Sequence, residues 1–282
     1  MSQRTVETYS RLLRQLREAF KAESIDFALD HKAVIAWIES QDRPLNSKKM
    51  YYIVLVSTLK RLGLEYADAL KAYKERQDSY NRRVTEQYET QQLTPAEAEK
   101  FLSWPEVIAV REAVRAAAHD LMSWQDYVLL CCYTFIPPLR NDFAGMEIVY
   151  EEPTDTSHNY LLVLPTGLTF ILNQYKTASR YGTKLITVQP DLEAVLRDWL
   201  ELNPSGWLFC NSDGAPMSES SLSQRIIGIF RTHAKKGAGI STLRHSFVSW
   251  LRRNEPLHSA QKEIADQMCH SIGMNVLYRR LT

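Results

Sequence analysis

Four short runs of β-branched and aromatic residues, at 146–150, 160–164, 168–174 and 184–188, stand together in a sequence that otherwise reads as helical. Pro153, Thr166-Gly167 and Arg180-Tyr181-Gly182 separate them, residues that turn a chain. Runs this short and this close pair with their sequence neighbours, which predicts a small antiparallel sheet built from hairpins. Because helical periodicity fills the sequence on both sides, the sheet is an insertion and the class is α+β, mainly α. Ahead of it, Leu12, Leu13, Leu16, Ala19 and Phe20 repeat at helical spacing, and Asp30 reads as the N-cap of a second helix carrying Val34, Trp37 and Ile38. A third helix begins near Asn46 or Ser47 and runs to Gly63, with shorter helical material at 66–74. Residues 75–92 offer little beyond Tyr80, Val84 and Tyr88 to bury, and at their end Thr94 and Glu97 form a capping box around Pro95. This predicts a helical domain at 1–77, a linker at 78–93 and a second domain at 94–282, opening with helices near 94–119 and 123–136. After Pro190 helices return at 192–202, 218–236, 241–253 and 259–268.

Composition excludes several classes of function. With 45% hydrophobic and 24% charged residues, the chain is neither disordered nor fibrous. No apolar run approaches the roughly 20 residues of a membrane span. Met1 leads straight into an amphipathic pattern, which predicts an intracellular protein, nuclear in a eukaryote and cytoplasmic in a prokaryote. Cys131 and Cys132 are adjacent, Cys210 and Cys269 stand apart, and no C-x-x-C pair forms a zinc site or a disulfide framework. The net charge of +1 is uninformative, but its distribution is not. Between 225 and 253 lie Arg225, Arg231, Lys235, Lys236, Arg244, Arg252 and Arg253 without one Asp or Glu. That stretch predicts a phosphate-facing surface. Lys48 and Lys49, at the start of the third helix, are further candidates for DNA contact.

Five residues in the second domain have the chemistry for one task. Arg140 follows an apolar helix that ends at Ile136-Pro137-Pro138-Leu139. Lys176 lies beside the turn containing Ser179-Arg180-Tyr181-Gly182, and Arg244 begins a helix within the basic stretch. His270 and Tyr278 close the chain. A phosphodiester under attack gathers negative charge on two non-bridging oxygens, which two guanidiniums can clamp at any working pH. A tyrosine hydroxyl is a competent nucleophile, a lysine can protonate the leaving oxygen, and a histidine can hold a proton or a phosphate oxygen. The set needs no metal or nucleotide cofactor, and no D-x-D cluster, H-E-x-x-H or P-loop is present to hold one. Each residue taken singly also has a structural explanation: a helix-end charge, solvated hairpin lysines, a core histidine, a packed tail aromatic.

The text around these residues resembles the tyrosine recombinase (integrase) family. Leu243-Arg244-His245-Ser246-Phe247 is similar to its second arginine motif. Met268-Cys269-His270-Ser271 followed by Tyr278 is similar to its G-H-S…Y ending, with Cys in place of Gly. The run from Tyr133 to Arg140 resembles the helix end that delivers the first arginine, and Tyr175-Lys176-Thr177 falls where the family's hairpin lysine lies. The resemblance spans 94–282, and the first 77 residues look like the helical core-binding domain. The local text is most similar to recombinases of eukaryotic mobile elements and large DNA viruses. The resemblance implies that Tyr278 attacks the scissile phosphate to leave a 3′-phosphotyrosine and a free 5′-hydroxyl. Arg140 and Arg244 would clamp the phosphate, Lys176 would be the general acid, and His270 would orient the phosphate. No metal or ATP would be required. The implied partner is double-stranded DNA, engaged by a homotetramer on two sites, with no membrane involved.

Two departures stand out. Ser241 occupies the position three residues before the second arginine where the family usually has His, and a serine does not accept a proton near neutral pH; His245 is a candidate to help instead. Four residues follow Tyr278, little to pass to a neighbouring subunit. The alternatives are a type IB topoisomerase-like nickase using similar residues, and a catalytically impaired DNA-binding protein derived from a recombinase.

Overall fold

The computed structural model describes residues 3–254, 258–269, 273 and 277–280. The chain divides into two compact units, Met1–Thr90 and Gln91–Thr282. The first is a helical bundle of α1 (Gln3–Ala19), α2 (His31–Ser40), α3 (Leu45–Leu59) and α4 (Ala67–Glu89). Asp30 caps α2 as its sequence predicts, its carboxylate accepting from the Ala33 N–H at 3.1 Å. Leu12, Leu16, Val34, Ile38, Leu55 and Tyr73 form the centre of the bundle.

The stretch expected as a linker is not one: α4 continues without a break to Glu89. Tyr80 explains this. Its ring lies 5.5 Å from that of Tyr52, and its hydroxyl donates to Glu39 at 2.6 Å, while Tyr52 donates to the other oxygen of the same carboxylate at 2.8 Å. These two contacts of Tyr80, with Val84 also buried, extend an otherwise polar helix, because helices gain most of their stability from packing.

The second unit opens with a one-turn helix, α5 (Pro95–Ala98), then α6 (Trp104–Ala117) and α7 (Leu121–Thr134). The single helix expected over 94–119 is two, because a second capping box, Ser103 with Glu106, starts α6 afresh. The sheet comprises β1 (Glu147–Val149), β2 (Tyr160–Leu164), β3 (Gly167–Leu172) and β4 (Lys184–Thr187), in that spatial order. It is mixed, which corrects the expectation of an antiparallel sheet: β1 runs parallel to β2, with Glu147 opposite Tyr160. The ten residues between these strands are long enough to carry the chain back to the starting edge, which a hairpin turn is not. The other two pairings are antiparallel, with Tyr160 opposite Ile171 and Leu172 opposite Lys184. Between β3 and β4 lies a single helical turn, α8 (Ala178–Tyr181), ended by Gly182 at φ +69°, a backbone that favours glycine. Then follow α9 (Pro190–Leu202), α10 (Glu219–Ala234), α11 (Ile240–Asn254) and α12 (His258–Gln267). One face of the sheet, with Leu161, Leu168, Phe170 and Leu172, joins α6, α7, α9, α10 and α11 in one apolar core. The architecture is mainly α with a small sheet, as expected.

Candidate active site

Four parts of the second unit converge: the end of α7, the β3–β4 connection, the first turns of α11 and the segment at 277–280. Pro137-Pro138 cannot continue α7, so the chain leaves the helix and turns at Arg140. That turn is fixed from both sides. The Tyr133 hydroxyl donates to the Arg140 carbonyl at 2.6 Å, and the Arg140 N–H donates to the Asp142 carboxylate at 3.0 Å. Asp142 is buried, and burial raises its carboxyl above the ordinary value, against the pull of the Arg140 N–H and of the Arg140 and Arg244 guanidiniums.

Arg244 lies in the second turn of α11 and is 1% exposed. Its guanidinium donates to the carbonyls of Pro138 and of Met268, and its carbon lies 4.9 Å from the centre of the Tyr278 ring. The Tyr278 phenol lies within the electrostatic reach of both the Arg244 and the Arg140 guanidiniums. Burial pushes the Tyr278 phenol upward, but the two guanidiniums outweigh it and hold the hydroxyl below its ordinary value. Burial pulls Arg244 below its ordinary value, and the phenol opposes that shift. Two cations on one phenol favour its ionised, nucleophilic form.

His245 touches the same tyrosine from the other side. Its Nδ1 lies 2.7 Å from the Tyr278 carbonyl oxygen, so this nitrogen carries the proton, and the two rings are 4.9 Å apart. Burial, with Arg280 nearby, pushes the imidazole down to about 4, so it is neutral near pH 7. Its hydrogen bond to Tyr278 is to the main chain. The next anchor is Arg280, whose N–H donates to Ser249 at 2.7 Å and whose guanidinium meets the Glu97 carboxylate at 3.1 Å.

Of the residues expected from sequence, Arg140, Arg244 and Tyr278 come together. Lys176 is exposed in the turn after β3; beside it, the Thr177 hydroxyl donates to the Cys269 carbonyl at 3.3 Å. Cys269 is buried, with φ +55°, and burial raises its thiol to about 11 against the pull of Lys184, Arg140 and Arg244. Ser241 is exposed in the first turn of α11. His270 lies outside the described residues. Asn159 and Arg280 were not singled out from the sequence; their partners lie far away along the chain, and no local motif marks them. Asp142 was not singled out either, and Glu97 was singled out only as a helix cap, not for its pair with Arg280.

The candidate DNA contacts divide. Arg225 forms a two-point pair with Asp126 at 2.5 and 2.8 Å, Lys236 donates to the Phe101 carbonyl at 2.8 Å, and Lys48 donates to the Glu39 carbonyl at 2.7 Å. Lys235 reaches the Thr232 carbonyl at 3.1 Å from a left-handed helix end, and Lys49 is half-buried on α3. Among the described residues no three His, Cys, Asp or Glu side chains are grouped as metal ligands, and no helix is long and apolar enough to cross a membrane. All four cysteines are free thiols.

Comparison with known proteins places this architecture. No protein-family model matches the sequence, and no curated protein matches it closely. Among solved structures, the XerH site-specific recombinase, in a post-cleavage complex with its palindromic difH substrate, superposes with a TM-score of 0.61 at 18% identity, over 97% of this chain and 75% of XerH. XerA recombinase aligns over 100% of this chain and 88% of its own at 14% identity, TM-score 0.46. The Tn1549 transposon integrase with transposon right-end DNA aligns over 98% and 95% at 15% identity, TM-score 0.41. The fold is similar to that of XerH.

Proposed function

We propose that the chain is a tyrosine-type DNA strand transferase, a site-specific recombinase or integrase that works through a 3′-phosphotyrosine. The observation that carries this reading is the convergence on Tyr278 of Arg244, whose guanidinium carbon lies 4.9 Å from the ring centre, and of Arg140, whose charge also acts on the phenol. A phosphate bound there would place its non-bridging oxygens on the same guanidiniums, with the phenol oxygen as its neighbour. The Tyr278 phenol releases its proton to water, its oxygen bonds to phosphorus, the bond to the 5′ oxygen breaks, and Lys176 gives that oxygen its proton, leaving a 5′-hydroxyl. Charge growing on the phosphate is met by the arginine pair, so the step is written without a metal. The phosphodiester is conserved as an ester of tyrosine, so rejoining a second strand needs no ATP. The two units together would grip duplex DNA, and strand exchange between two sites calls for a homotetramer. The similarity in fold to XerH supports DNA as the partner.

The test is covalent trapping. The protein is incubated in EDTA with labelled DNA from the flanks of its own element, then quenched with SDS. A 3′-linked adduct that disappears in Tyr278→Phe is the expected result. DNA binding with no adduct would favour the second reading, a non-catalytic DNA-binding derivative, for which Ser241 in the usual histidine position argues. Neither adduct nor binding would overturn both.

A further inference from the structure

The turn carrying Lys176 has one apolar anchor, Tyr175, packed against the core between exposed Gln174 and Lys176, with its hydroxyl donating to the Gly182 carbonyl at 2.8 Å. Side-chain amides hold the entry to the turn. Asn159, 5% exposed and immediately before β2, fills all four of its hydrogen-bonding positions. Its Oδ1 accepts from the N–H groups of Asn173 at 2.9 Å and Gln174 at 2.7 Å. Its Nδ2 donates to the carbonyls of Asp142 at 2.8 Å and Gln174 at 3.0 Å. Asp142 lies two residues after Arg140, and Gln174 two residues before Lys176. One planar amide therefore ties the loop of the first arginine to the loop of the lysine. Asn173 extends the tie: its Nδ2 donates to the His158 carbonyl at 2.9 Å, and its Oδ1 accepts from Thr183 at 2.7 Å.

We propose that Asn159 is a positioning residue that fixes the Lys176 turn against the Arg140 loop, so that the lysine meets the departing 5′ oxygen of a phosphate held by the arginines. This rests on the reading of Lys176 as proton donor. The Arg140 loop has independent supports in Tyr133 and the Asp142 carboxylate, whereas Asn159 and Asn173 carry the entry to the Lys176 turn. Loss of Asn159 therefore falls mainly on the proton transfer. No other side chain substitutes well: Asp has no donor for the two carbonyls, and Leu would leave four backbone groups unpaired.

A bridging sulfur in place of the 5′ oxygen tests this, because a thiolate leaves without being protonated. The wild-type cleavage site is mapped first. Adduct formation is then timed in single turnovers on a synthetic duplex with either oxygen or sulfur at that position. On the oxygen duplex, Asn159→Ala is expected to be slower by about tenfold or more, since small misplacements of a reacting group have such effects. On the sulfur duplex it should come within about twofold of wild type, as should Lys176→Ala. Asn173→Ala loosens the same turn without removing the Asn159 bond to Asp142. It is expected to show the same rescue, and it decides the matter if Asn159→Ala does not fold. Rescue of Lys176→Ala but of neither asparagine variant overturns the proposal. Failure of Lys176→Ala to be rescued overturns the proton-donor reading beneath it, and absence of any wild-type adduct overturns the function itself.

Discussion

Cys269 adopts a left-handed backbone, φ +55°, in the turn after α12, where the family motif has glycine. A residue with a Cβ is strained there by about 1–2 kcal/mol, which glycine escapes. Cys269→Gly and Cys269→Ala both lose the buried thiol, but only Gly relieves the backbone. Gly is expected to be the more stable variant by about 1 kcal/mol, read from urea midpoints, reversing the usual order of the two residues. His245 offers a second test. Its imidazole is held down to about 4 from an ordinary 6.5, so the folded state favours the neutral ring. A depressed value contributes stability that is complete above about pH 6.5 and is lost as pH falls toward 4. Across that window the melting temperature of wild type should fall further than that of His245→Asn, whose amide can still donate to the Tyr278 carbonyl but does not titrate. Parallel profiles would show that His245 is not buried as a neutral ring. The sequence displayed Arg140, Arg244 and Tyr278 because a chemical task predicts their types and a motif frames them. Asn159 was invisible because its partners are backbone atoms brought near by folding, and nothing in its neighbouring sequence marks it.

At the scale of elements, short-range signals were legible and long-range ones were not. The Thr94–Glu97 capping box is complete within four residues, so the sequence announces the start of α5. Its second role is not announced, because the same carboxylate holds Arg280, 183 positions away and 3% exposed. The Ser103–Glu106 box that starts α6 caps in the same way, and Arg280 belongs to the other carboxylate. The two boxes therefore form a natural control. Glu106→Ala should cost about 1 kcal/mol, a cap's worth. Glu97→Ala should cost about 2–4 kcal/mol, because it also removes the carboxylate paired with a buried guanidinium and loosens the segment bearing Tyr278. Equal losses by chemical denaturation would show that the Arg280 pair contributes nothing. The parallel β1–β2 pairing was unreadable for a related reason: ten intervening residues permit either direction, and packing decides. The second half of α4 was missed because three tyrosine and valine side chains on a polar helix give a weak period, yet one shared carboxylate, Glu39, fastens it.

Over the whole molecule, sequence charge and spatial charge diverge. The stretch from 225 to 253 has no acidic residue, yet Arg225 is neutralised by Asp126 from α7, and Lys236 is spent on a helix-entry carbonyl. A basic run read along the chain therefore overstates the cations left for phosphate, whereas the division into two parts, which follows from hydrophobic periodicity, was legible apart from its boundary. Each unit has its own apolar cluster, the first built from Leu16, Ile38, Leu55 and Tyr73, the second from Val128, Phe143, Phe170 and Phe230. A unit with its own core has the means to fold alone. Expressed separately, residues 1–90 and 91–282 should each unfold cooperatively. The 91–282 fragment should keep the near-ultraviolet circular dichroism of its tryptophans and lie within a few degrees of the corresponding transition in the full chain. A fragment lacking fixed aromatic signals, or melting far lower, would mean that the second core does not keep its packing without the rest of the chain.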